Sequence, residues 1–294
     1  MDKFTIINEN NNIDIIVDKI KIFYGKNYSL KKQIITNLEQ ALTKNSSSEY
    51  AKNTYKEINL NVNDQKVNTN QFEIYKIISD FDIDADLKLG TKSLCQKYLE
   101  KKLENIEYND LYNTIKELLK TFDMEYLSTN TNMQLSLSNL NFQTGDLEIK
   151  QFIKLIKPKL IENDLEKNYF DLTYEELIEY QLNMIYEIAK DNDKTHIIII
   201  DTHLTKNLFN KILNINEANI KFIILQNLFN DNIKLSNYIL INNKILDLAD
   251  EENINTFIFE ELPFHLDPNE INELFTEYLK NNKTSRVIEL FNVL

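Results

Sequence analysis

Apolar residues fall along this chain in two rhythms, and the rhythm changes twice. The first sixty residues carry short β-like runs, "FTIINE", "IDIIV" and "KIFYG", followed by "SLKKQIITNLEQAL", whose apolar positions 30, 34, 35, 38, 41 and 42 have helical spacing. A polar stretch, "TKNSSSEY", reads as a surface loop, and "YKEINLNV" alternates like a half-exposed strand. From about 70 to 145 the patterns turn helical: "QFEIYKIISDF", "DLKLGTKSLCQKYLEKKLEN" and "YNDLYNTIKELLKTF". After Gly145 an α/β pattern returns, with "DLEIKQFIKLI" read as a helix, "KPKLIEN" as a strand and "YEELIEYQLNMIYEIAK" as a helix. The apolar run "THIIII", the helix "LTKNLFNKIL" and the strand "IKFIILQN" follow.

Strand, helix and strand at this spacing point to crossovers joining parallel strands, and strands covered on both faces read as unbroken apolar runs. The expected class is α/β, with residues 1–68 and 146–260 forming one head, 69–145 an inserted helical arm, and 261–294 a helical extension. In that extension Asp267 is placed as a helix N-cap ahead of Pro268. The pattern shows no internal repeat.

At 294 residues and 43% hydrophobic composition the chain can bury a large core. Forty-six acidic against 33 basic residues leave a formal charge of −13, which argues against a generally basic nucleic-acid coat. Any DNA contact needs a local lysine patch. Cys95 alone excludes an internal disulfide and a cysteine-built metal site, and His196, His203 and His265 lack ligand spacing. The N-terminus has no signal-peptide pattern and no stretch is a candidate membrane span, so a cytoplasmic address is expected.

"FYGKNYSLKKQ" sits between a strand and a helix, as a phosphate-binding P-loop would. Gly25 and Lys31 match that motif, but Leu30 stands in place of the second glycine and Lys32 in place of the magnesium-binding hydroxyl. Asp201 ends the isoleucine strand without the glutamate that follows it in ATP-hydrolysing enzymes; it reads as a turn or capping residue, the alternative being an acid/base pair with His203. "SDFDIDAD" resembles the start of a calcium loop, but Ala85 and Thr91 replace the required glycine and glutamate, so it reads as a charged cap. Lys150, Lys154 and Lys157 form a stripe on the helix expected near 147–157, opposite Phe152, Ile153, Leu155 and Ile156.

These parts together resemble the CRISPR-associated adaptation protein of type II-A systems, the Csn-two family. "ISDFDIDADLKLGTKSLCQKYLEKKLEN" looks like that family's entry into its helical arm, and "EIKQFIKLIKPKLIEN" is similar to its helix–turn–strand with lysines, although Pro158 replaces the usual glycine. "THIIIIDTHLTKNLFNKILNINEANIKFIILQN" looks like the strand, turn, helix and strand that end its core, and the resemblance spans about residues 4–250. It implies a degenerate P-loop, ABC-ATPase-like head with a helical leg, assembled as a ring-shaped homotetramer that binds calcium. It further implies a non-enzymatic role in spacer acquisition, holding double-stranded DNA ends without sequence preference alongside the Cas integrase and the RNA-guided effector nuclease. On this resemblance Lys154 and Lys159 are the phosphate contacts, with Lys150 and Lys157 beside them, and Asp82, Asp84 and Asp86 are the candidate calcium ligands. The alternatives are a divergent ATPase or nucleotide-dependent switch using Gly25, Lys31 and Asp201, and a protein-interaction scaffold.

Overall fold

The computed structural model describes residues 1–8, 11–43, 58–104, 106–122, 125, 133–134, 139–140, 152–261 and 266–281. The chain divides into two compact units, Met1–Ser79 with Ala189–Leu294, and Asp80–Ile188.

The first unit is α/β. Its central sheet is built from β3 (Ile20–Tyr24), β6 (Phe72–Ile77), β11 (Thr195–Ile200), β12 (Ile220–Ile224), β13 (Tyr238–Ile241) and β14 (Ile245–Asp247), in the order β14-β13-β3-β12-β11-β6. β13, β3, β12, β11 and β6 run parallel, and only β14 is antiparallel to its neighbour. The isoleucine strand pairs on both sides, with Ile198 opposite Phe222 of β12 and Tyr75 of β6. Every residue of β3, β12 and β13 is buried, which is why these strands show no alternation.

A smaller antiparallel sheet is built from β1 (Asp2–Asn8), β2 (Asn11–Val17), β4 (Asn59–Val62) and β5 (Gln65–Lys66), in the order β2-β1-β4-β5. With α1 (Tyr28–Thr43) it packs on one face of the central sheet: Phe4, Ile6, Ile15 and Leu60 meet Ile34, Ile35 and Leu38 of α1 and Ile197, Ile199, Ile223 and Ile239. α6 (Lys206–Asn214) buries Leu208, Phe209 and Ile212 and is capped by the Thr205 hydroxyl. α7 (Glu251–Glu261) and α8 (Pro268–Asn281) follow. Asp267 caps α8 as expected, accepting from the Asn269 and Glu270 amides at 2.8 and 2.9 Å while its own amide donates to Glu270, a capping box.

The second unit holds α2 (Ile83–Leu87), α3 (Leu94–Leu103), α4 (Ile106–Phe122), the strand pair β7 (Met133–Gln134) and β8 (Asn139–Leu140), the hairpin β9 (Ile161–Glu162) and β10 (Leu165–Glu166), and α5 (Tyr174–Ala189). Among the described residues no helix is long and apolar enough to cross a membrane.

Several sequence expectations change. "QFEIYKIISDF" is not a helix; Phe72–Ile77 is the edge strand β6, which belongs to the central sheet and not to the insertion. Phe72 and Ile74 pack on one face while Tyr75 and Ile77 are buried on the other, so apolar residues fall in both registers and mimic helical spacing. The compact second unit spans Asp80–Ile188, where the expected arm was 69–145, and the described residues 266–281 group with the first unit. The helix expected from Leu87 breaks at Leu89, whose φ of 56° ends α2 before α3 begins. "KPKLIEN" yields only the two-residue strand β9. The surface loop expected over 43–50 lies outside the described residues from 44 onward.

Deep in the first unit Lys21 of β3 is fully buried and ion-paired with Asp247 of β14, and its ammonium also donates to the Ser236 carbonyl at 2.9 Å. Asp247 in turn accepts from the Ile16 and Ala249 amides, each at 2.8 Å, tying β2 to the central sheet. Replacing Lys21 by Met leaves a buried carboxylate without its counter-charge, so urea unfolding of Lys21→Met is expected to show a loss of about 3–5 kcal/mol.

Candidate phosphate loop and nucleic-acid interface

In open α/β sheets ligands bind beyond the carboxyl ends of the strands. In this chain that edge carries the β3–α1 loop, the end of β12 and the end of β11. Gly25 has a φ of +133°, and a Cβ there would lie 2.1 Å from the Ile241 carbonyl oxygen, so only glycine fits. The loop lies tightly on the end of β13. A phosphate cradle works by pointing successive backbone N–H groups into an open space. In this loop they are taken by the protein itself: the Gly25 amide donates to Asn227 Oδ1 at 2.8 Å, Lys26 to Asn242 Oδ1 at 2.8 Å and Asn27 to the Ile241 carbonyl at 3.3 Å. Asn27 then caps α1, its Oδ1 accepting from the Leu30 amide at 3.0 Å, while its side-chain nitrogen donates to the Asn242 carbonyl at 2.8 Å. Asn242 is itself steadied by Tyr278 of α8 at 3.1 Å.

Lys31, the residue matching the P-loop lysine, does not reach outward. It is 3% exposed, and its ammonium donates to the same Asn227 Oδ1 at 2.9 Å. Burial pushes its pKa down from 10.5 to about 8. Lys32, in the hydroxyl position, ion-pairs with Asp201 and lies over the Tyr28 ring. Asp201 also accepts from the Tyr28 hydroxyl at 2.9 Å, so both its oxygens face α1. His203 Nδ1 meets Gln226 Nε2 at 3.2 Å, and Gln226 Oε1 accepts from the Leu204 amide. Asp201 and His203 are therefore each held by other side chains, which does not favour the acid/base pair.

The candidate metal ligands are likewise given to local structure. Asp82 is the N-cap of α2, accepting from the Ala85 amide at 2.9 Å. Asp84 ion-pairs with Lys88. Asp86 is buried and accepts from the Leu94 and Cys95 amides at 2.6 and 3.1 Å and from the Tyr180 hydroxyl at 2.7 Å, so it caps α3 from outside that helix. Burial and Asp86 together hold the Tyr180 hydroxyl protonated far above its ordinary range. A calcium ion takes six to eight oxygens. Three carboxylates committed in this way do not fit one, and among the described residues no three His, Cys, Asp or Glu side chains gather as a metal site.

Of the lysines read as phosphate contacts, Lys150 lies outside the described residues. Lys154, Lys157 and Lys159 are all exposed. Helical backbone reaches only to Ile153, and the Leu155 and Ile156 amides close tighter turns onto Phe152 and Ile153 at 3.0 and 2.9 Å. Pro158 disfavours helix at the residue before it, so Lys157 lies beyond the helix and not on a stripe along it. Ile153 and Ile156 pack with Leu89 and Cys95 as the apolar arc requires, but Leu155 is exposed. Lys159 ion-pairs with Glu166 across the hairpin at 2.6 Å, an exposed pair.

No family model matches the sequence, and no curated protein matches it. A solved structure does. Stu0660 of Streptococcus thermophilus is similar to this chain with a TM-score of 0.71 at 14% identity, over 99% of this chain and 91% of that one. At that identity the likeness is one of fold, and it extends through both units.

Sequence reasoning found Gly25, Lys31, Lys32 and Asp201 but missed Asn227, Asn242 and Tyr278, which close the loop. No local signal marks an asparagine that acts on a loop about 200 residues away.

The buried ammonium gives a pH test. In the folded chain Lys31 loses its proton near pH 8 and in the unfolded chain near 10.5, so between those values the unfolded state binds more protons and stability rises with pH. Lys31→Met keeps Asn227 satisfied by Gly25 and is expected to be more stable than the parent at pH 7 by up to about 3 kcal/mol, the gap closing by pH 10.5. Urea unfolding across that range measures it.

Proposed function

We propose that this protein is a non-enzymatic, sequence-independent binder of double-stranded DNA in CRISPR spacer acquisition, built on a P-loop, ABC-ATPase-like head that no longer receives nucleotide. One observation carries the reading. At the carboxyl edge of the parallel sheet the amides of Gly25, Lys26 and Asn27, the Lys31 ammonium and the Asp201 carboxylate all have protein partners, so phosphate and magnesium would have to displace them. The rival reading, a nucleotide-dependent switch, requires breaking those bonds together.

The DNA side of the reading rests on the resemblance and on the exposed Lys154, Lys157 and Lys159. Lysines from several copies of the chain, arranged in a ring of four as the resemblance implies, would neutralise phosphates on one duplex while the acidic remainder of the surface faces away. The Cas integrase and the RNA-guided effector nuclease are the partners this reading supplies. Binding of this kind needs no chemistry from the protein. Its free energy comes from counterion release, which makes it steeply dependent on salt.

A gel shift with linear duplexes of unrelated sequence across a salt series tests this. Retention at low salt with similar affinity for each duplex is expected. Lys154→Gln with Lys157→Gln and Lys159→Gln should weaken it by about tenfold or more and lower the log–log salt slope by about one for each phosphate no longer neutralised. A wild-type protein that leaves linear duplex unshifted at low salt contradicts the reading.

A further inference from the structure

One local structure occurs twice, at residues 60–71 and again at 160–171, although the sequence pattern shows no repeat. Each copy is a hairpin whose two turn residues both have positive φ, 50° and 62° at Asn63 and Asp64, 51° and 64° at Asn163 and Asp164. In each, the strand returns to donate an amide to a leucine carbonyl, Val67 to Leu60 at 3.2 Å and Lys167 to Leu160 at 2.8 Å. In each, an asparagine then caps a short 3-10 turn, Asn68 through the Asn70 amide and Asn168 through the Phe170 amide.

The two copies differ in what lies along the outer edge. In the first, β1 adds to β4, with Thr5 opposite Asn61 and the Asn63 amide donating to the Lys3 carbonyl at 2.9 Å. In the second, β9 pairs only with β10 among the described residues. Leu160 faces β10 through its carbonyl, so by alternation the N–H and C=O of Ile161 point outward, as those of Asn61 do toward β1. Ile161 is 60% exposed and Leu165, on the opposite face of the ribbon, 73% exposed. A two-stranded ribbon open on both faces is marginal by itself and gains from a third strand.

We propose that the outer edge of β9 is an interface between two copies of this chain, pairing antiparallel across a two-fold axis at Ile161. The outward groups restrict the register. Ile161 then faces Ile161 of the second copy, Leu160 faces Glu162 and Lys159 faces Asn163, so no like charges are opposed. Residues 159–162 carry one lysine and one glutamate, and this edge is neutral in a chain of formal charge −13, so a second copy meets no repulsion along it. The pairing would make a four-stranded sheet and set the two Lys159 residues about 14 Å apart along the strands. It rests on the hairpin geometry and not on the DNA reading, although it would bring two sets of Lys154, Lys157 and Lys159 to one surface.

Sedimentation of the DNA-free full chain tests it. The wild type is expected to have at least the mass of a dimer and Ile161→Lys half the wild-type mass, while Leu165→Lys, more exposed but off the edge, leaves the mass unchanged. Ile161→Cys should form an interchain disulfide under mild oxidation, because directly opposed residues fall within disulfide range, and the wild type should not, its Cys95 being buried. A monomeric wild type, or an Ile161→Lys chain of unchanged mass together with no Ile161→Cys cross-link, overturns the proposal. DNA retention is read separately: a chain that pairs through Ile161 and ignores duplex keeps this inference and removes the function proposed above.

Discussion

The side-chain oxygen of Asn227, at the end of β12, takes both the Gly25 amide and the Lys31 ammonium. The rest of the carboxyl edge of the first unit's parallel sheet is arranged around that pair of bonds. They hold the β3–α1 loop against the sheet, so Asn27 can cap α1 and α1 can lay Ile34, Ile35 and Leu38 into the core beneath the small sheet. Asn242 repeats the device from β13, and Tyr278 of α8 fixes Asn242. A nucleotide hydrolase needs these donors unsatisfied until phosphate arrives, because an amide already bonded in a buried loop offers a ligand only an exchange. In this chain the donors at the carboxyl edge of the parallel sheet are turned onto the protein's own oxygens.

The lysines divide along the same line. Lys21, Lys31 and Lys221 are buried in the first unit and bonded to protein oxygens: Lys221 to the Asp18 carbonyl and Asp2, Lys21 to Asp247, Lys31 to Asn227. They tie strands and loops of the first unit together and do not present their ammonium groups at the surface. The exposed Lys154, Lys157 and Lys159 lie in the second unit, just after the helical turn that ends at Ile153. Net charge therefore says little about a nucleic-acid surface in this chain.

Much of the fold was legible because its central strands are covered on both faces. "THIIII" and "IKFII" could be little else than buried parallel strands, and α1, α4, α5 and α6 follow from their 3.6-residue spacing. β6 was not legible, since its apolar residues serve both faces and helical spacing fits them equally well. β13 and β14, four and three residues long among turn-formers, were missed for want of length. At the candidate site Leu30 and Lys32 already departed from the phosphate-loop pattern. The partners of the loop's amides were hidden, because the asparagines that close the loop follow distant strands in a chain rich in asparagine. The capping role of the acidic turn was anticipated, but Asp86 caps α3 and not the helix in which it stands.

The most direct test of the closed loop is a calorimetric titration of the purified full chain with ATP and magnesium at neutral pH, compared with Lys31→Met. A loop whose donors are already bonded predicts no saturable heat from either protein. Saturable, magnesium-dependent binding by the wild type that disappears in Lys31→Met would contradict the account, since it would mean that Lys31 leaves Asn227 for a phosphate.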